Sequence, residues 1–288
     1  MLKRLFAVIP VAAVFTITHA QNTATDTYIK EGIRLYDNGD YKAAKEQYIK
    51  ALAIDSNSST ANYEMANTCF EMQEYQNAVN YADKVVKLKS PDSEQAYVIK
   101  GSALDMLGKP ADAVDVYKLG IIIFPQSHLL YYNLALTLFN NKGDNKEIED
   151  NLQLALQLNP LHPTCHLLMG YLMVNEGKRV KALLALYNFL LLEPNTGRAA
   201  KALNLLYAQL SKGVKKENEK STTINLSLNK DDGDEFSAAE LMLSLLEASK
   251  GIEKNKDKTE NELFIDNTAS FFQVLGELKK DNKDFWWT

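Results

Sequence analysis

Between residues 25 and 196 the apolar positions recur at helical spacing, and the whole arrangement then repeats. "NGDYKAAKEQYIKAL" (38–52) is echoed by "MQEYQNAVNYADKVV" (72–86), "LGKPADAVDVYKLGI" (107–121) and "NEGKRVKALLALYNF" (175–189). Aligning the echoes gives a period of 34 residues and five units at 25–58, 59–93, 94–127, 128–162 and 163–196, the second and fourth one residue longer. Each unit contains two helix-length stretches and a tight turn. Gly39, Gly108, Gly143 and Gly177 are predicted to form those turns, because glycine adopts the left-handed backbone that ends a helix without a side-chain clash. Pro91, Pro125, Pro160 and Pro194 mark unit boundaries, since proline has no amide donor for a helix interior.

Side-chain size is what persists from unit to unit. Gly32, Ala66, Gly101, Ala135 and Gly170 share one position of the first helix; Ala44, Ala78, Ala113 and Ala182 share one position of the second, which is Ile148 in the fourth unit. Larger residues fill the adjoining space: Leu35, Leu104 and Leu138 on first helices, and Tyr48, Tyr117, Leu152 and Leu186 on second helices. The constant letters are therefore packing contacts, and the variable polar letters are solvent positions. The pattern resembles the tetratricopeptide repeat, a 34-residue helix–turn–helix unit, with Tyr28, Tyr97 and Tyr131 at the early aromatic position and Leu134, Met65 and Met169 at the position that follows. Asn62 and His166 replace the aromatic, and Glu31 and Lys100 replace the leucine.

The resemblance implies an all-α fold, a right-handed α-solenoid in which neighbouring pairs bury apolar faces that none could bury alone. It also implies that first helices line a concave groove. Projected onto this chain, the partner-binding residues are Tyr36, Tyr63, Asn67, Phe70, Tyr132, Phe139 and Tyr171. Some relatives grip acidic chaperone tails with lysine and asparagine at such positions; here only Asn67 remains, so that clamp is rejected. An aromatic groove suits a protein or peptide partner, because buried rings supply contact area at small rotamer cost.

The array extends over 21–212, with "GRAAKALNLLYAQLSK" (197–212) as a capping helix or the first half of a sixth unit. Residues 213–235 are polar and mixed in charge and are predicted to be a linker, with only Ile224, Leu226 and Leu228 hinting at a strand. A C-terminal helical region (236–288) follows, containing two helices. Capping boxes are predicted at Ser237/Glu240 and at Thr259/Glu262. The first of these helices is apolar nearly all round and must be buried, and the terminal "FWWT" calls for docking of its aromatics.

The chain's start changes the picture of where it works. Lys3 and Arg4, the uncharged run 5–18, and small residues at Thr18 and Ala20 form the pattern of a secretory signal peptide (1–20) cut before Gln21. Export to the periplasm is the expectation, with at most peripheral membrane association. A formal charge of −5 with dispersed Lys and Arg speaks against nucleic acid as a partner. Cys69 and Cys165 lie nearly three units apart, on the order of 25–30 Å by helix spacing, too far for a disulfide's reach of about 7 Å. "HPTCH" (162–166) offers His162, Cys165 and His166, but a structural zinc needs four ligands and no fourth is near. "DDGDE" (231–235) lacks the alternation of a calcium loop, and no phosphate loop or nucleophile motif is present. No metal, cofactor or catalytic residue is expected. The sequence reads as a non-catalytic binding scaffold of the bacterial cell envelope. The alternative is a structural subunit anchored in an envelope assembly through its C-terminal helices.

Overall fold

The computed structural model describes residues 11–218, 221–224, 236–251, 255, 257–279 and 284–287. These form two compact units, 1–143 and 144–288. The first holds α1 (Val11–Asp37), α2 (Tyr41–Ile54), α3 (Ser59–Glu71), α4 (Tyr75–Leu88), α5 (Ser93–Met106), α6 (Pro110–Ile123) and α7 (His128–Asn140). The second holds α8 (Asn145–Leu158), α9 (Pro163–Asn175), α10 (Arg179–Leu192), α11 (Gly197–Ser211), α12 (Ser237–Ala248) and α13 (Glu260–Lys279). Within each unit helices follow one another as packed neighbours, the helix-pair architecture of the predicted all-α fold. Residues 1–10 of the predicted signal peptide lie outside the described residues, and 11–20 run as helix into α1. Among the described residues no helix is long and apolar enough to cross a membrane.

The polar stretch after α11 is not wholly irregular. β1 (Val214–Asn218) and β2 (Ser221–Ile224) pair antiparallel, Val214 opposite Ile224. The strand hint at Ile224 thus belongs to a hairpin that begins ten residues earlier than the sequence pattern suggests. Leu226, Leu228 and "DDGDE" lie outside the described residues.

Five turns close the helix pairs in one way. Gly39 (φ 79°), Gln73 (60°), Gly108 (72°), Lys142 (55°) and Gly177 (76°) adopt left-handed backbone. Each donates its N–H three residues back, and the next residue donates five back, as in Gly39 to Tyr36 O (2.8 Å) and Asp40 to Leu35 O (2.9 Å). These bonds satisfy carbonyls that a helix end leaves orphaned. Gly143 is not the left-handed residue of its turn; Lys142 is. Gly143 is the inserted residue instead, donating to Leu138 O at 2.8 Å. It separates Lys142 from the N-cap Asp144, whose carboxylate accepts from Glu147 N at 2.8 Å.

In the first unit the first helices α1, α3, α5 and α7 touch in succession, and each second helix packs against the first helix that follows it. The sizes of the repeated residues set how closely each pair approaches. A Cβ built on Gly32 would lie 2.4 Å from the Tyr48 ring, and one on Gly101 2.4 Å from the Tyr117 ring. Both rings are essentially fully buried. In the second repeat the same two positions are Ala66 and Ala82, both buried in one cluster. Glycine faces tyrosine and alanine faces alanine, so the space between helices stays filled as the side chains trade volume.

In the second unit Gly170 faces Leu186 by the same rule, with a built Cβ 2.9 Å away. Here α12 and α13 complete the core: Phe236, Ala239, Leu243, Phe271 and Leu275 join Leu183, Leu186, Phe189, Leu206 and Leu210 in one cluster. Arg179 fastens this docking. It is 5% exposed, donating from Nε to Gln209 O (2.7 Å), from Nη2 to Leu210 O (2.6 Å) and from Nη1 to Ser244 Oγ (3.0 Å). Glu240 Oε2 is 3.6 Å from Nη1. The predicted Ser237/Glu240 capping box therefore does not form: Phe236 is the N-cap, with no side-chain bond, and the glutamate answers Arg179. The Thr259/Glu262 box does form, Thr259 N donating to Glu262 Oε2 (2.8 Å) and Glu262 N to Thr259 Oγ1 (3.3 Å).

Of the C-terminal aromatics, Trp286 docks inward: it packs on the same cluster and donates Nε1–H to Glu149 Oε1 at 3.2 Å. Lys181 Nζ stands 5.5 Å from its ring centre and 5.8 Å from that of Phe236, within the range of a cation–π contact.

Two outcomes test these features by urea denaturation. Gln73→Gly and Lys142→Gly, both away from the buried core, are each expected to stabilise by about 0.5–1 kcal/mol, because they relieve a left-handed penalty of roughly 1–2 kcal/mol at some entropic cost. Arg179→Met is expected to destabilise by about 3–5 kcal/mol, since it strands buried acceptors on α11 and α12.

Candidate partner-binding surface

The predicted groove residues are neither core nor free. Tyr36, Tyr63, Asn67, Phe70, Tyr132 and Phe139 are all half-buried on first helices of the first unit; Tyr171 is half-buried on α9 of the second. Tyr36, Tyr63 and Phe70 lean on the cluster built around Tyr48, Met65, Cys69 and Ala82. Two of them brace turns: Tyr36 meets Tyr41 with ring centres 5.1 Å apart, and Phe70 meets Tyr75 edge-on at 5.5 Å. Each pair spans one helix–helix turn, one repeat apart. Tyr171 packs on the cluster to which α12 and α13 contribute.

Polar groups tie the first helices together between these rings. Burial pushes the Tyr36 phenol up to about 12, against a lowering influence of the Asn67 side chain. In the third repeat the Tyr117 and Ser102 hydroxyls share a hydrogen bond of 2.9 Å, and Asp105 accepts from Thr137 Oγ1 at 3.0 Å. Tyr117 lies across Gly101 and so reaches Ser102, the next residue of the first helix. Tyr48 lies across Gly32 in the same way, but Ile33 occupies the place of Ser102, and the buried Tyr48 hydroxyl has no hydrogen-bond partner among the described residues.

Sequence reasoning missed Glu64. Its side chain is half-buried on α3 beside Tyr63 and makes no hydrogen bond or ion pair with the described residues. Burial, then the like charges of Asp92 and Asp37, push its carboxyl up to about 7. Bases on the helices around α3 have partners of their own: Arg34 with Glu31 (2.7 Å), Lys45 with Glu74 (2.5 Å) and Lys100 with Asp83 (2.7 Å). The equivalent residues of the other repeats are Lys30, Ile99, Asn133 and Leu168. The repeat pattern gave no reason to single the position out; the available signal was a lone carboxylate within an aromatic stretch.

The histidine–cysteine cluster turns inward to backbone. His162 Nδ1 accepts from Cys165 N (3.0 Å), His166 Nε2 is 2.8 Å from Pro160 O, and the Cys165 thiol donates to Leu152 O (3.6 Å). No group of three potential ligands converges among the described residues. Cys69 and Cys165 are free, buried thiols, pushed by burial up to about 11 and about 12 respectively. The second unit also holds a cavity of about 630 Å³, walled by Leu156, Met169, Leu184, Phe272, Leu275 and Trp286, with His166 on its lining.

A family model described as tetratricopeptide repeat matches residues 29–86 and 63–128. A TPR repeat-containing protein of Methanocaldococcus jannaschii is 29% identical over 128 residues, 44% of this chain and 22% of its own length. The human protein O-mannosyl-transferase TMTC3 is 32% identical over 91 residues, 32% of this chain and 10% of its own length. The chain therefore spans less than a quarter of either curated relative. Among solved structures, a thermophilic TPR protein of Thermus thermophilus aligns with TM-score 0.54 at 22% identity, covering 63% of this chain and 100% of that one. The Pseudomonas aeruginosa protein pilF aligns with TM-score 0.57 at 20% identity, covering 66% and 90%. Likeness at such identities speaks for the fold. Taken with the helix pairs and their size-matched contacts, it shows that the chain carries tetratricopeptide repeats, the family model itself matching residues 29–86 and 63–128.

Proposed function

We propose that this protein is a non-catalytic scaffold that captures a protein or peptide partner on the first-helix face of its repeats, in the bacterial cell envelope. The observation that carries the reading is the row of half-buried aromatics Tyr36, Tyr63, Phe70, Tyr132 and Phe139 on the first helices of the first unit. These rings are held by core contacts and turn braces yet keep exposed surface, so they present area without the entropic cost of ordering mobile side chains. Support for the location comes from the basic, apolar and small-residue order of residues 1–20.

The second reading, a structural subunit attached through its C-terminal helices, draws on Leu241, Leu245, Ile265 and Phe272, which remain exposed on α12 and α13 although those helices dock inward.

Tyr63→Ser with Tyr132→Ser is the variant of choice, because both rings are half-buried on the first-helix face and lie in different repeats. Partner recovery from cell-envelope extract is expected to fall at least about tenfold, as for loss of an aromatic hot spot, with the circular dichroism spectrum unchanged. Undiminished recovery, with binding lost instead on Leu245→Ser and Phe272→Ser, would move the contact to the C-terminal helices. Mass spectrometry of the protein from an envelope fraction is expected to find Gln21 as the mature N-terminus; retention of Met1 in the cytoplasm would contradict export.

A further inference from the structure

The first-helix face of the first unit is not uniformly apolar, and one place on it is electrostatically incomplete. Glu64 projects from the middle of α3, on the flank shared by Tyr63 and Asn67, and the Asn67 side chain bears on the Tyr36 phenol of α1. Its carboxylate is half-buried and meets no donor among the described residues. The acidic group that bears most on it, Asp92, is itself engaged, accepting from Ser59 Oγ at 3.0 Å and from Thr60 Oγ1 at 3.3 Å. A carboxylate withdrawn from water without a partner is costly, and a protein with no use for it could carry an apolar residue there, as Ile99 and Leu168 do in other repeats.

A second group belongs to the same cluster as Tyr36 and Tyr63. The Tyr48 hydroxyl is fully buried and has no hydrogen-bond partner among the described residues. Its ring crosses Gly32 as Tyr117 crosses Gly101, which in the third repeat delivers the hydroxyl to Ser102 on the first helix. In the first repeat Ile33 offers nothing there, and the charges that bear most on the Tyr48 hydroxyl are Glu64 and then Asp37. An orphaned hydroxyl oxygen can accept, and an unpaired carboxylate must accept. A donor would serve both, and the hydroxyl remains free to donate as well.

We propose that Glu64, the Tyr48 hydroxyl and the flanking Tyr36, Tyr63 and Asn67 form a pocket for a basic side chain, the lysine or arginine of an extended segment in a protein partner. This rests on the first-helix face being the partner surface. An ammonium or guanidinium group brings several N–H donors and positive charge together. Glu64 supplies the counter-charge, the Tyr48 oxygen takes a further hydrogen bond, and tyrosine rings favour a cation near their faces. Asp92 and Asp37 add negative potential. A divalent metal is a poorer fit, since no three potential ligands converge among the described residues. The pocket reverses the charge logic of a clamp for acidic tails, so partners are sorted by a single buried ion pair, with the aromatic row supplying area.

The test uses the full chain and a positional-scanning library of short, N-acetylated, C-amidated peptides at about pH 8 in low salt, comparing wild type with Glu64→Gln. Wild type is expected to select Lys or Arg at one position between apolar neighbours. Glu64→Gln is expected to lose that selection and to bind the best peptide at least about tenfold more weakly, roughly 1.4 kcal/mol. Norleucine at the basic position should weaken wild type to the same degree and leave the variant unaffected. Misfolding is separable from lost binding. Because the folded carboxyl sits above its unfolded value, its ionisation opposes folding as pH rises through that interval, so Glu64→Gln should melt no lower than wild type at about pH 8. Selection of apolar residues alone, indifferent to Glu64→Gln, would overturn the basic-side-chain pocket while leaving the aromatic face as the partner surface. Failure of wild type to retain any peptide would overturn that surface and the pocket with it.

Discussion

The close approach of two helices at one small residue is the constraint on which each repeat depends. At Gly32 and Gly101 a tyrosine from the second helix lies where a Cβ would be, and no side chain larger than hydrogen fits without moving it. That contact fixes the separation of the pair, buries the largest ring of the repeat and leaves the first helices close enough to touch one another in the first unit. Where the ring is absent, as at Ala82, the small residue is alanine instead of glycine. Volume is conserved across the pair even though neither residue type is.

The same nesting has a chemical consequence. A tyrosine that crosses its glycine carries a hydroxyl to the first-helix face, and what it meets there depends on one residue. Ser102 satisfies Tyr117, whereas Ile33 leaves Tyr48 open. The packing rule and the incomplete polar site of the first repeat are thus two ends of one side chain. In the second unit the array's last helices are finished by α12, α13 and Trp286, fastened through the buried guanidinium of Arg179.

Helix pairing was legible because it is local and periodic: the small-residue positions and the 34-residue spacing determine which faces meet. Turn chemistry was legible where glycine stood at the left-handed position and not where Gln73 and Lys142 stand, since the hydrogen bonds of the turn hold those two against their own preference. Gly143 misled for the same reason: its identity marked a turn, but its position was one residue late. Glu240 could not be assigned from its spacing to Ser237, because its partner, Arg179, is remote in sequence. Glu64 was hidden by the repeat itself, as alignment drew the eye to what recurs, and a site arises where one copy departs. Half-burial of the aromatic row was not readable at all, because helical spacing gives direction and not depth.

The most direct measurement is a double-mutant cycle between Gly101→Ala and Tyr117→Ala, read as unfolding free energy in urea. If the nested contact sets helix separation, Gly101→Ala costs about 1–3 kcal/mol in the wild-type background by overpacking and close to nothing once the ring is removed, a coupling of more than about 1 kcal/mol. Costs that simply add would mean that the glycine and the ring act independently, and the account of how these repeats are built would fail.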